Sequence, residues 1–255
     1  MSIHSDETTS ILSCRDLHCS YPGGAEALAR VTFSVRQGER VGIIGPNGAG
    51  KSTLLRALIG LVPVDGDIIA DGLRLAKHTL TEIRLRIGLV FQNPDDQLFS
   101  PTVGDDVAFG PSAMGLRREE VLERMRSALR DVGLEGAENR NPLLLSFGER
   151  RLAAIASVLS MRPTILAMDE PSSNLDPVHR RGLIRWIQDH TAYTLLLASH
   201  DLDMVAETCD RVLLLSRSII ADGPAHVLLR DSALLAAHGL EAPLGLQSLR
   251  FHSDS

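Results

Sequence analysis

Eight consecutive residues constrain this chain more than any others: Gly45-Pro-Asn-Gly-Ala-Gly-Lys51-Ser52, a run of the form GxxxxGK[ST]. It follows an apolar stretch, Arg40 to Ile44, that reads as a buried strand, and it opens Lys51 to Ile59, whose spacing is helical. Strand, glycine loop and helix in that order make a phosphate cradle. Glycines let the backbone N–H groups turn inward around a polyphosphate, and the helix N-terminus adds positive potential. A lysine at position 51 reaches the β- and γ-phosphates, and a serine at 52 is a ligand for Mg²⁺. Gly45, Pro46, Asn47, Gly48, Ala49, Gly50, Lys51, Ser52 and the adjoining Thr53 are therefore assigned to polyphosphate binding, with Mg²⁺ as the expected companion ion.

Ile11 to Leu17 and Leu28 to Val35 predict strands; in the second, Val31, Phe33 and Val35 alternate with Thr32, Ser34 and Arg36, which suits a sheet wet on one face. An antiparallel β layer is thus expected to open the fold. Ile68 to Ala70 and Ile87 to Phe91 read as further strands, and from Asn93 to Leu145 the character changes to loops and helices. There Val121, Leu122, Met125, Ala128, Leu129 and Val132 recur at helical spacing on one face. A helix from Ser146 to about Leu159 follows, then a strand Thr164 to Met168, a helix Val178 to His190 and a strand Thr194 to Ser199. A short helix, Leu202 to Glu207, precedes a hairpin-like pair, Arg211 to Leu215 and Ile219 to Ala221. Alternating strands and helices imply a parallel sheet covered by helices. The expected organisation is one domain over 11–243 with a helical lobe at about 93–160, a polar tail at 1–10 and a second tail at 244–255.

Composition narrows the functional classes. A chain of 255 residues, 44% apolar, can bury a sizeable core. Its 26 basic against 32 acidic residues give a net charge of −6, so no global positive field gathers nucleic acid, and no nucleic-acid partner is expected. Cys14, Cys19 and Cys209 form no CxxC pair and are odd in number, which reads as a protein of a reducing cytoplasm. The longest apolar runs, such as Thr194 to Ala198 and Val212 to Leu215, fall far short of the ~20 residues that cross a bilayer. The first residues lack the basic and apolar regions of a secretory signal. The scattered histidines contain no HxxH or His/Cys cluster, so no metal-ion site of that kind is expected on this chain.

Ile165-Leu-Ala-Met168-Asp169-Glu170 is a buried-strand run ending in two carboxylates. By itself it could be an acidic turn. Downstream of a phosphate loop, at the carboxyl end of a parallel strand where ligands bind, Asp169 can hold Mg²⁺ and Glu170 can serve as general base to the attacking water.

Together with the glycine loop, Gln92, Leu145-Ser-Phe-Gly-Glu149, Asp169-Glu-Pro171, Ser173-Asn-Leu-Asp176 and Ser199-His200-Asp201 occur in the order of the ABC-type ATPase motifs, and the chain resembles that family from about Ile11 to Pro243. The resemblance implies an α/β fold: a P-loop NTPase core with an N-terminal antiparallel β subdomain and an inserted helical lobe. It implies ATP hydrolysis, with Glu170, His200 and Gln92 catalytic, and Ser52, Gln92 and Asp169 around Mg²⁺. Tyr21 would stack on adenine; its alternative is a partly buried aromatic at a strand end. Ser146 and Gly148 would meet the γ-phosphate held by another protomer, which implies a homodimer or a pseudo-dimer with a related ATPase. Two positions depart from the family's pattern: Phe147 stands for the first glycine of the signature and Glu149 for its final glutamine. Phe147 either packs on its own lobe or loosens the sandwich of two chains.

The stretch Val90-Phe-Gln-Asn-Pro-Asp-Asp-Gln-Leu-Phe-Ser-Pro-Thr-Val103, with Asp106-Val-Ala-Phe-Gly-Pro111, is similar to the energy-coupling-factor branch, in particular its cobalt and nickel uptake ATPases. That resemblance implies a peripheral subunit at the cytoplasmic face of the membrane, partnered by integral membrane coupling and substrate-binding components. A vitamin-importing transporter of the same branch is the alternative. A DNA-repair ATPase would carry a long heptad insertion, and a translation factor would carry two cassettes in one chain; neither pattern is present here.

Overall fold

The computed structural model describes residues 10–21 and 23–247; most of the expected tail at 1–10, and residues 248–255 of the other, lie outside the described residues. In chain order the elements begin β1 (Ser10–Ser20), β2 (Glu26–Arg36), β3 (Arg40–Ile44), α1 (Lys51–Leu58), β4 (Asp65–Ala70), β5 (Leu73–Arg74), α2 (Leu80–Arg86) and β6 (Ile87–Val90). Three helices come next: α3 (Val103–Ala113), α4 (Arg118–Asp131) and α5 (Phe147–Leu159). The alternation then resumes with β7 (Ile165–Asp169), α6 (Pro177–Asp189), β8 (Thr194–Ala198), α7 (Leu202–Thr208), β9 (Arg211–Ser216) and β10 (Ser218–Pro224), closing on α8 (Ala225–Leu228), α9 (Ser232–Ala237) and α10 (Leu244–Gln247).

Two sheets form. The antiparallel one runs β2-β1-β4-β5, and the other runs β10-β9-β3-β8-β7-β6, parallel except for the antiparallel edge strand β10. In β2 the residues Val31, Phe33 and Val35 are buried while Thr32, Ser34 and Arg36 are exposed, as the alternation requires. The parallel strands are buried on both faces, so their sequence is continuously apolar. Successive residues serve different cores: Ile165, Ala167, Leu196, Ala198, Leu213 and Leu215 pack with α1 and the antiparallel sheet, while Leu166, Met168, Leu195, Leu197, Val212 and Leu214 pack with the helices opposite.

The second core also takes in the helical region. Met125, Ala128, Leu129 and Val132 of the predicted amphipathic face join Ala153, Ala156 and Leu159 of α5 there. The elements missing from the sequence reading, namely β5, α2, α8 and α9, are too short for periodicity to mark them. The tail expected from 244 begins differently: Pro243 is buried, α10 makes one turn, and the Gly245 N–H donates to Asp203 Oδ1 at 3.2 Å. The fold's consequence for function is topological. Strand β3 lies between β9 and β8, so the loop after it opens at the carboxyl edge of the sheet beside the ends of β7 and β8.

The centre of the sheet is close-packed at Gly42, where a β-carbon would lie 2.5 Å from Val205 Cγ1 of α7. Gly42→Ala must push α7 off β3, at a cost of about 1–3 kcal/mol. A lowered melting temperature in scanning calorimetry is the expected outcome, and an unchanged one would contradict this packing.

Candidate functional site

The glycine loop is held open by its surroundings. Gly50, with φ +98°, brings its α-carbon so near β2 that a β-carbon would sit 2.4 Å from the Ala27 carbonyl oxygen; at Gly45 it would sit 2.1 Å from that of Leu215. Only glycine fits either place. Lys51 opens α1 and is 7% exposed; its Nζ donates to the carbonyls of Gly45 at 2.8 Å and Pro46 at 3.3 Å. The ammonium thus stands in the hollow of the loop. Asn47, Gly48, Ala49, Gly50, Lys51, Ser52 and Thr53 line a cleft of about 420 Å³, with Tyr21, Gln92 and Glu170 on its other walls. Pro46 and Gly45 face a neighbouring cleft of about 510 Å³, which also receives His200 and the chain around Pro243.

The two carboxylates end β7 where the reading of the strand placed them. Asp169 is 1% exposed, and its Oδ1 accepts a hydrogen bond from Ser52 Oγ at 2.9 Å. Burial pushes the Asp169 carboxyl above the usual carboxylate range, against the pull of the Ser52 hydroxyl and the nearby Arg56 and Lys51 charges. Glu170 is 6% exposed and takes φ +47°, a conformation costing a non-glycine residue about 1–3 kcal/mol. Its N–H is fixed on the Ala198 carbonyl at 2.8 Å. The side chain is aimed from both ends: Oε2 accepts from the N–H of His200 at 3.1 Å and from its Nδ1 at 2.6 Å, and Oε1 lies 3.8 Å from Lys51 Nζ. His200 therefore meets the glutamate directly, with its imidazole still largely exposed. The next residue, Asp201, caps α7 and is gripped by both Arg180 Nε and Nη2 at 2.6 and 2.7 Å, which fixes the turn that carries the histidine.

The donor set fits a divalent cation. Ser52 and the exposed Gln92 line the cleft and Asp169 lies behind Ser52 on its hydroxyl, so the three offer hard oxygens, and a buried carboxylate with few protein donors is the group such a cation satisfies. Tyr21 is 42% exposed on the rim, its hydroxyl hydrogen-bonded to Thr53 Oγ1 at 2.9 Å, so an open ring face is retained beside the loop. Arg217 was not anticipated. It lines the same cleft from the β9–β10 turn at φ +61°, with its N–H on the Ala49 carbonyl; one arginine in a hairpin turn carries no pattern that a sequence reading could catch.

Ser146 and Gly148 stand apart from the residues lining this cleft. Ser146 caps α5, and Glu149 returns the favour: Ser146 Oγ accepts from the Glu149 N–H at 3.2 Å and Glu149 Oε2 from the Ser146 N–H at 2.8 Å. Gly148 lies against the next helix, where a β-carbon would come 2.7 Å from the imidazole of His179, itself paired with Asp176 at 2.5 Å. Phe147 is half-buried in the first turn, with the guanidinium carbons of Arg150 and Arg151 5.8 and 5.5 Å from its ring centre.

Known proteins are similar to this chain in sequence and fold. The ABC transporter family matches residues 28–173. An ABC transporter ATP-binding protein of Gloeobacter violaceus is 49% identical over 239 residues, covering 92% of this chain and 98% of its own. The energy-coupling factor transporter ATP-binding protein EcfA of Methanothermobacter thermautotrophicus is 45% identical over 239 residues, 91% of this chain and 77% of its own. Among solved structures, cbiO1 from Clostridium perfringens, part of the ABC transporter complex cbiONQ, superposes with a TM-score of 0.79 at 32% identity over 95% of this chain and 99% of its own. A dimeric ATP-binding cassette in a post-hydrolysis state, bound to ADP and Pi, gives 0.76 at 26% identity over 84% of this chain and 98% of its own.

Removing the ammonium from the loop tests the cradle. Lys51→Ala should weaken nucleotide binding by about 10- to 100-fold, the worth of a charged hydrogen bond. Isothermal titration with ATP measures it, and an unchanged affinity would contradict the assignment.

Proposed function

This chain belongs to the ABC transporter family of ATP-hydrolysing subunits, and from that premise we propose that it powers an energy-coupling-factor importer of cobalt or nickel ions. The observation that carries the reading is the extent of likeness: relatives named as energy-coupling factor ATP-binding proteins align over nine-tenths of the chain, as 91% does for EcfA. The likeness to cbiO1, part of the ABC transporter complex cbiONQ, supports assembly in a transport complex, and the cobalt or nickel cargo rests on the resemblance of the segment Val90 to Pro111 to the uptake ATPases of that branch. The cargo would bind a membrane component and not this chain. No helix among the described residues is long and apolar enough to cross a membrane. We place the chain peripherally at the cytoplasmic face, on integral membrane coupling and substrate-binding partners, as a homodimer or a pseudo-dimer with a related ATPase.

In this reading the residues divide the work of phosphoryl transfer to water. The backbone N–H groups of the loop and Lys51 hold the β- and γ-phosphates, and Tyr21 offers its ring face to adenine. Ser52, Asp169 and Gln92 would hold Mg²⁺, which would supply neutralisation of the phosphate charge. Glu170 accepts the proton of the attacking water, and His200 fixes the carboxylate through Oε2 so that Oε1 faces the nucleotide. Gln92 helps position the water. Ser146 and Gly148 contribute to the nucleotide site of the second copy.

Glu170→Gln keeps shape and loses the base. Turnover should fall about 10²- to 10⁴-fold with ATP affinity retained, and an ATP-dependent dimer should accumulate on size exclusion. Parental turnover would remove Glu170 from that role. The cargo is tested by co-expressing the chain with its membrane subunits and measuring uptake of cobalt, nickel and labelled vitamins. ATP-dependent metal accumulation that Glu170→Gln abolishes is the expected result, and vitamin uptake alone would overturn the metal reading.

A further inference from the structure

The segment carrying Gln92 is stitched to α5, the helix that begins in the signature motif. Gln97 donates from Nε2 to the Ala154 carbonyl at 2.6 Å and to Ser157 Oγ at 2.8 Å, and its Oε1 accepts from the Phe91 N–H at 3.1 Å. Arg150 Nε lies 3.3 Å from Asp95 Oδ1. Arg151 reaches closer to the glutamine: Nη1 donates to the Phe91 carbonyl at 2.7 Å and Nη2 to the carbonyl of Gln92 itself.

Arg151 is an unusual group to find there. It is 0% exposed, yet no carboxylate comes within ion-pair distance of it among the described residues. A buried guanidinium in that position is costly unless its donors are used. Two of them are spent on adjacent carbonyls of the glutamine segment, while the aromatic face of Phe147 lies 5.5 Å from its guanidinium carbon. Phe147 is also the residue that departs from the glycine of the family's signature, and glycine would offer no such face.

We infer that Arg151, seated on Phe147, is a positioning residue that sets where Gln92 stands, so that the signature end of α5 and the chain's own nucleotide cleft move together. The contact runs within one chain: Phe147 in the first turn, Arg151 one turn on, then the carbonyl of Gln92. A nucleotide held by a second copy against Ser146 and Gly148 would thereby act on the glutamine of this copy's site. The inference rests on the reading of the chain as a dimerising ATPase and not on its cargo.

The test uses the full chain with Arg151→Lys, Phe147→Leu and Phe147→Tyr, read by kcat and KM for ATP, affinity for a fluorescent ATP analogue, melting temperature, and amide hydrogen exchange of residues 91–97. Lysine keeps the charge but is shorter and lacks the planar fork that sets one nitrogen on each of the two carbonyls. Arg151→Lys should lower kcat about tenfold with KM and analogue affinity within about twofold. Exchange in 91–97 should rise about fivefold while the rest of α5 is unchanged. Phe147→Leu should shift both readouts the same way, and Phe147→Tyr, which restores the ring face, should return them to parental values. Parental kcat and exchange in Arg151→Lys would overturn the proposal, as would a fall in melting temperature and ATP affinity that accounts for the loss of kcat. If Arg151→Lys does not fold, the leucine and tyrosine variants decide, and equal behaviour of the two overturns it. Absence of turnover in the parental chain would instead count against the ATPase reading, since exchange and analogue binding still report on the coupling.

Discussion

One cation and two carboxylates are kept from water at the carboxyl edge of the parallel sheet, and the rest of the site is arranged around that. Lys51, Asp169 and Glu170 are 7, 1 and 6% exposed. Buried charges of this kind persist only when each is paired or hydrogen-bonded. The three come from α1 and the end of β7, and the order of strands brings those ends together. Their internal satisfaction is incomplete: Lys51 spends donors on the carbonyls of its own loop, Asp169 has one hydroxyl, and Glu170 depends on His200. In the proposed reading a polyphosphate with a divalent cation would supply what is missing on both sides, acceptors for the lysine and positive charge for the aspartate. The site is therefore poised for its ligand electrostatically as well as sterically.

The cradle and the two carboxylates were legible because their residue types have few other uses in that context. A glycine run between a strand and a helix, and an acidic pair after a wholly apolar strand, fix position in the fold, and the proposed roles follow from the two being read together. The alternating cores of the parallel strands were legible as continuous apolar runs, although sequence alone does not order the strands. What escaped reading has a common physical cause: it depends on contacts between segments distant in sequence. The φ of Glu170 is imposed by a hydrogen bond to Ala198 on the neighbouring strand, and Arg217 reaches the cleft because a hairpin turn is tied to the glycine loop.

Arg151 is the instructive omission. Gly148, Arg151 and Ile155 are all buried in α5 at helical spacing, so the arginine falls on the inward face. A charge at an inward position is a signal available from the sequence, but one that normal helix statistics assign to solvent. Only the placement of the Phe91 and Gln92 carbonyls shows why the position tolerates a guanidinium.

Glu149 poses the opposite problem, a charge at the start of α5, where the proposed dimer would bring a phosphate. At the N-terminus of α5 a carboxylate would compete with phosphate for the same positive end of the helix. Arg140 answers it with a 2.7 Å hydrogen bond to Oε1, and this bond, with the Ser146 N–H, holds the Glu149 carboxyl at about 2, so that the pair is ionised and electrically neutral as a unit. Its other oxygen completes the capping box as a glutamine carbonyl would. Ser146 Oγ accepts from the Glu149 N–H at an exposed position, and its hydroxyl also helps hold the Glu149 carboxyl ionised. The substitution at 149 therefore keeps the donor geometry of the helix start while transferring the burden of charge balance to Arg140, outside the motif itself.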